Sequence, residues 1–174
     1  MRDYWHRLLI VLLASGSFGS AWGAAAEDRQ AAVWESHELS FRYVGFTSRY
    51  SCDGLRDKVQ QALIALGAGR DLSVTPTGCT PTGGPEPIPS LQIKVSTPKP
   101  DAAGTVEARW KTVKLTGPGK LEPGDCELTE QIKREILPLF TTRNLKAKTS
   151  CAPPHQDPGL DVALSVDVLV PAKE

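Results

Sequence analysis

Two short stretches decide how this chain reads: RDLSVTPTGC, Arg70 to Cys79, and RNLKAKTSC, Arg143 to Cys151. Each closes on a cysteine. Each also follows a helix-period segment that opens with another cysteine, Cys52 in the first case and Cys126 in the second, and each precedes an alternating run. This spacing predicts an α+β fold built from two pseudo-repeated β-α-β-β units, residues 37–99 and 105–171. The expected sheet is mainly antiparallel, with two helices packed on one of its faces and two disulfides as staples.

Working outward from those stretches, HELSFRYVGF, His37 to Phe46, alternates Leu39, Phe41 and Tyr43 with polar residues at the period of a half-buried strand, and Gly45 predicts a bulge. Ser51 caps a helix over 52–68 whose apolar face is Leu55, Val59, Ala62, Leu63 and Leu66, and Gly67 and Gly69 end it. A short strand with Leu72 and Val74 follows, then a longer one over Ser90 to Thr97 with Leu91, Ile93 and Val95 inward. In the second half the matching strand is Val106 to Leu115. Asp125 is expected to cap a helix over 126–140 with Leu128, Ile132, Ile136 and Leu139 on its apolar face, and Pro138 bends or ends it. Leu145 and Ala147 lead to Cys151, and Val162, Leu164, Val166, Val168 and Val170 share one face of the last strand. The expected core contains Leu55, Val59, Leu63, Leu91, Ile93, Leu128, Ile132, Ile136, Leu164 and Val166.

The N-terminal segment carries Arg2 and Arg7, an apolar run from Leu8 to Leu13, and then small residues. It reads as a secretory signal peptide over residues 1–26, cleaved near Gly23 or Ala26, because the run is too short for the roughly 20 apolar residues that span a bilayer. The mature product is expected to be periplasmic or secreted, without stable membrane insertion, with residues 27–36 flexible and 37–174 a single domain. Removing Arg2, Arg7 and Asp3 from a chain of 20 basic and 20 acidic residues leaves a net charge of −1 with histidines neutral. So balanced a chain offers nucleic acid no electrostatic footprint.

Four cysteines in an exported chain argue for disulfides, and the repeat selects Cys52 with Cys79 and Cys126 with Cys151 over the other pairings. No C-x-x-C motif supports redox chemistry. Cys151, His155 and the distant His37 make no knuckle for zinc, so no metal and no cofactor is expected. The candidates for catalysis are His155 and Asp157, two apart in the loop CAPPHQDPG, where a histidine beside a carboxylate can act as a general base. The candidates for binding are Pro85, Glu86 and Pro87, inside the stiff stretch TPTGGPEPIPS that follows Cys79.

The segments GFTSRYSCDGLRDKV (45–59), LEPGDCELTEQIKREILPLFTTRNL (121–145) and CAPPHQ (151–156) together resemble a group of small exported proteobacterial proteins in which no catalytic or binding residue is defined. The resemblance covers most of the chain from His37 onward and transfers no site. It implies a Gram-negative periplasm. The functional expectation is a non-catalytic binding or assembly module partnered by an envelope or periplasmic protein, with inhibition of an envelope enzyme as one form of it. The alternative is a small periplasmic enzyme using His155 and Asp157.

Overall fold

A computed structural model of the chain describes residues 29–46, 48–80, 83–149, 151 and 162–172. The fold is α+β, with six strands in a single antiparallel sheet. The strands are β1 (Arg29–Arg42), β2 (Ser73–Thr77), β3 (Ser90–Pro100), β4 (Val106–Lys114), β5 (Thr142–Lys148) and β6 (Ala163–Pro171), in the order β2-β3-β1-β4-β6-β5. The helices are α1 (Cys52–Ala65), between β1 and β2, and α2 (Cys126–Gln131), between β4 and β5. No helix among the described residues is long and apolar enough to cross a membrane.

One apolar cluster gathers Phe41 of β1, Leu91, Ile93 and Val95 of β3, Val113 of β4 and Leu164, Val166, Val168 and Val170 of β6. Leu55, Val59 and Leu63 of α1 join it together with Leu128 of α2 and Ile132 and Ile136 beyond it. All ten expected core residues are in this cluster, and both helices therefore bury their apolar faces against the same side of the sheet. The alternation that made the strands legible is the alternation that fills this core.

Four expectations are corrected. Residues 27–36 were expected to be flexible, but Arg29 to Ser36 form the first part of β1. Arg29 to Ala32 of that part pair with Val106 to Arg109 and join the two halves of the sheet. Arg29 and Gln30 are polar and Ala31 and Ala32 small, and Ala32 is buried with Ala108 and Leu169 in a second, minor cluster, so bulky alternation is missing from the sequence at this point. Gly45 makes no bulge, because β1 has already ended at Arg42. The second helix is not continuous over 126–140. After α2 the chain loosens into a π-helical segment, Ile132–Ile136, and then tightens into a 3₁₀ turn, Leu137–Leu139, around Pro138. Finally, Asp125 makes no side-chain cap to α2.

Both disulfides form as paired by the repeat, Cys52 with Cys79 and Cys126 with Cys151, at Cα separations of 6.1 and 5.6 Å, within the range such bonds span. β5 is exposed along its whole length. It breaks register with β6 between Arg143 and Lys146, where Asn144 has φ +53°, and its Arg143 guanidinium lies 4.1 Å from the Trp110 ring centroid. A short, basic, irregular edge of this kind resists pairing with another strand.

Candidate functional site

The chain between β1 and α1 is fastened by a series of hydrogen bonds, and the fastenings reach across the molecule. Gln131, on α2, accepts from the Val44 amide at 3.1 Å and donates to the Arg42 carbonyl at 3.0 Å. The Glu127 carboxylate accepts from the Phe46 amide at 2.9 and 3.0 Å. Tyr43 donates to the Ser48 carbonyl at 3.1 Å, and the Ser48 hydroxyl donates to the Gly124 carbonyl. Phe46 is thereby held by its backbone with its ring 94% exposed. The sequence around it gives one usable signal: Glu127 and Gln131 are four apart and so share a helix face.

Beneath this loop lies a buried polar cluster. Asp125 accepts from the Tyr50 hydroxyl, from Lys58 Nζ at 2.7 Å and from the Glu122 amide at 2.8 Å, and its backbone carbonyl accepts from Thr129 at 2.9 Å. The carboxylate that was expected to cap α2 is spent on α1 and on the loop before it. Burial alone would raise the Asp125 carboxyl, but the hydrogen bonds from Glu122, Lys58 and Tyr50 outweigh it and hold the group below the usual carboxylate range. The two tyrosine rings meet edge to face with centroids 4.8 Å apart. Burial, followed by the Glu127 carboxylate for Tyr43 and the Asp125 hydrogen bond for Tyr50, pushes both phenols above their ordinary range. Each is a committed proton donor, and neither serves as a base. Ser51 is committed as well, because its hydroxyl accepts from the Gly54 amide at 3.1 Å and caps α1 as expected.

The Pro-rich stretch joins the same end of the molecule. Pro85 bridges Ser51, the Glu86 amide donates to the Tyr50 carbonyl at 3.0 Å, and the Tyr43 amide donates to the Pro89 carbonyl at 3.0 Å. The last bond continues the register that pairs Arg42 with Ser90. Val44 thus comes opposite Ile88, and the two are 49% and 54% exposed. Of the three expected binding residues, Pro85 and Pro87 are exposed and Glu86 is buried. The Glu86 carboxylate accepts from the Thr80 hydroxyl at 2.5 Å and the Thr80 amide at 2.7 Å, and these bonds hold its carboxyl below the usual range. It braces the loop from within and offers nothing to a partner. His155 and Asp157 lie outside the described residues, so their geometry is not part of this site. His37 stands elsewhere, on β1, with Nε2 3.2 Å from the Thr97 hydroxyl.

The result is a rigid apolar end made of Val44, Phe46 and Ile88, on a frame of buried polar bonds and the Cys52–Cys79 disulfide. The hydroxyls of Tyr43, Ser48, Tyr50 and Ser51 and the carboxylates of Glu86, Asp125 and Glu127 around it are all engaged within the fold. No family model, no curated protein and no solved structure matches the chain.

Proposed function

We propose that this chain is an exported, non-catalytic binding module of the periplasm. Its contact surface is the end that presents Val44, Phe46 and Ile88, and its partner is an envelope or periplasmic protein offering an apolar pocket. The observation that carries the proposal is Phe46: a fully exposed aromatic ring on a backbone fixed by Glu127, Gln131 and the buried Tyr43–Tyr50–Asp125 cluster. An anchor ordered before binding loses little entropy when it docks, and aromatic anchors carry much of the energy of protein interfaces. Insertion into the cleft of an envelope enzyme would make the module an inhibitor.

Two disulfides support export through an oxidising compartment, with residues 1–26 as the cleaved signal. The two halves are read as structural copies, supported by strand order: from the centre of the sheet outward it runs β1, β3, β2 on one side and β4, β6, β5 on the other.

The test is affinity recovery from periplasmic and envelope extract with the intact chain and with Phe46→Ala/Ile88→Ala. A specific partner, re-purified and shown to bind directly, should be retained by the first and lost by the second. A turnover abolished by His155→Ala with the fold intact would overturn this reading in favour of an enzyme using His155 and Asp157.

A further inference from the structure

A concave part of the surface lies away from the Phe46 end, toward the start of β1. A cleft of about 710 Å³ opens there between Trp34 on β1, Ser96 on β3, Pro171 at the end of β6, and Ala68, Arg70 and Asp71 in the turn after α1. That volume is in the range of small-molecule sites. The turn is pressed against both half-sheets. Gly67 has φ +86°, and a Cβ there would stand 2.6 Å from Val170 Cγ1; one on Gly69 would stand 3.3 Å from the Ser96 carbonyl, which already accepts from the Gly69 amide at 2.8 Å. Only glycine fits at Gly67, so the wall carrying Arg70 and Asp71 is fixed relative to the strands.

Three features of the cleft go unused by the fold. The Trp34 indole, 43% exposed, makes no hydrogen bond among the described residues. The exposed Arg70 guanidinium forms no ion pair or hydrogen bond among them either. Asp71 accepts from the Ser96 hydroxyl at 2.6 Å through Oδ2 alone, and it does not pair with its neighbour Arg70. A cation and an anion on consecutive residues of a fixed turn, unpaired with each other, line one cleft with an exposed indole and the apolar Ala68 and Pro171, and that pattern has a natural complement.

We propose that this cleft binds a small zwitterion of the α-amino-acid type with a flat apolar side chain. The Arg70 fork takes the carboxylate, Asp71 Oδ1 takes the ammonium, and the Trp34 face stacks on the side chain. Neither charge of Asp71 and Arg70 favours a simple anion or a simple cation, because each would repel what the other attracts. A ligand carrying both charges one carbon apart satisfies the two together.

The test is titration calorimetry of the oxidised chain with L-phenylalanine, N-acetyl-L-phenylalanine, L-phenylalaninamide and L-alanine. L-phenylalanine should bind, and each analogue should bind at least about tenfold more weakly, since each loses one charge-assisted contact or the stacked ring. Arg70→Gln should weaken L-phenylalanine by about tenfold while leaving the amide unchanged, and Trp34→Ala should weaken every ring-bearing probe. Arg70 is exposed, so its variant should keep the native amide spectrum. Arg70→Lys, which keeps charge without the fork, should fall between the two. No saturable binding of L-phenylalanine at millimolar concentration, equal binding of the three phenylalanine forms, or indifference to Arg70→Gln would overturn the proposal. Phe46→Ala should leave this binding intact, so failure here and failure of the protein-binding reading are separate results.

Discussion

The two helices each open on a cysteine, and their beginnings are built in different ways. At α1 a serine hydroxyl accepts the Gly54 amide, a cap made within the first turn. At α2 the residue in the same place is Asp125, and its carboxylate accepts from Tyr50, Lys58 and Glu122. One start is a self-contained helix signal, and the other is a joint between the halves. The difference teaches that the polar residue just before a helix-opening cysteine can serve the helix alone or tie distant segments together, since a carboxylate reaches further and binds more donors than a hydroxyl.

The staples should be the strongest and most equal feature of the two halves. Their spacings of 27 and 25 residues imply nearly the same loop-closure entropy, so Cys52→Ala/Cys79→Ala and Cys126→Ala/Cys151→Ala should each cost roughly 3–4 kcal/mol. Urea denaturation of the two double variants should give midpoints that agree closely. A large gap would show that one half keeps its structure without its staple and the other does not.

The helix starts should then separate. Ser51→Ala removes a local cap and should cost about 1 kcal/mol. Asp125→Ala strands Lys58 and the Tyr50 hydroxyl, and breaking a buried pair from one side costs about 3 kcal/mol or more. Equal losses for the two variants would mean that Asp125 is no more than a cap.

Acid should expose the same asymmetry more gently. The folded Asp125 carboxyl titrates below the unfolded value of about 3.9. Its contribution is therefore present above that value and is lost as pH falls through the folded one. Thermal unfolding measured from pH 6 down to pH 2 should show a drop in this window that Asp125→Asn flattens and Ser51→Ala leaves in place. A drop of the same size in Asp125→Asn would assign it to other carboxylates.

What could be read from the sequence follows the same division. Leu91, Ile93 and Val95, or Leu164, Val166 and Val168, announce a strand because burial imposes a period on neighbouring residues, and the cysteine pairs follow from matching positions. Glu127 and Gln131 could be placed on one helix face, but nothing local says that their partners are the Phe46 and Val44 amides more than 80 residues away. Pro85, Glu86 and Pro87 could be read as a stiff loop from their composition, yet only the fold shows Glu86 turned inward to Thr80. The start of β1 was missed because Ala31 and Ala32, next to β4, carry no bulk from which a period can be read.

The smallest effect concerns how the helical segments end. α1 runs regularly to Ala65 and stops before Gly67, whereas the segment after α2 widens, with the Leu137 amide reaching back to the Ile132 carbonyl, and then tightens so that the Phe140 amide reaches Leu137 at 3.0 Å. Pro138 explains the sequence of events: its ring cannot approach the Arg134 carbonyl as a regular turn requires, and it has no amide to donate. Pro138→Ala removes both constraints while leaving Ile132, Ile136 and Leu137 buried where they are. Stability should change by less than about 1 kcal/mol, because the gain of one backbone bond is offset by the freer unfolded chain. Carbon chemical shifts over 132–140 should move toward regular α-helical values. If they do not move, packing of Ile132 and Ile136 against the sheet imposes the wide turn and the proline merely tolerates it, and the two helices would then differ through their contacts with the sheet, with the proline playing no part.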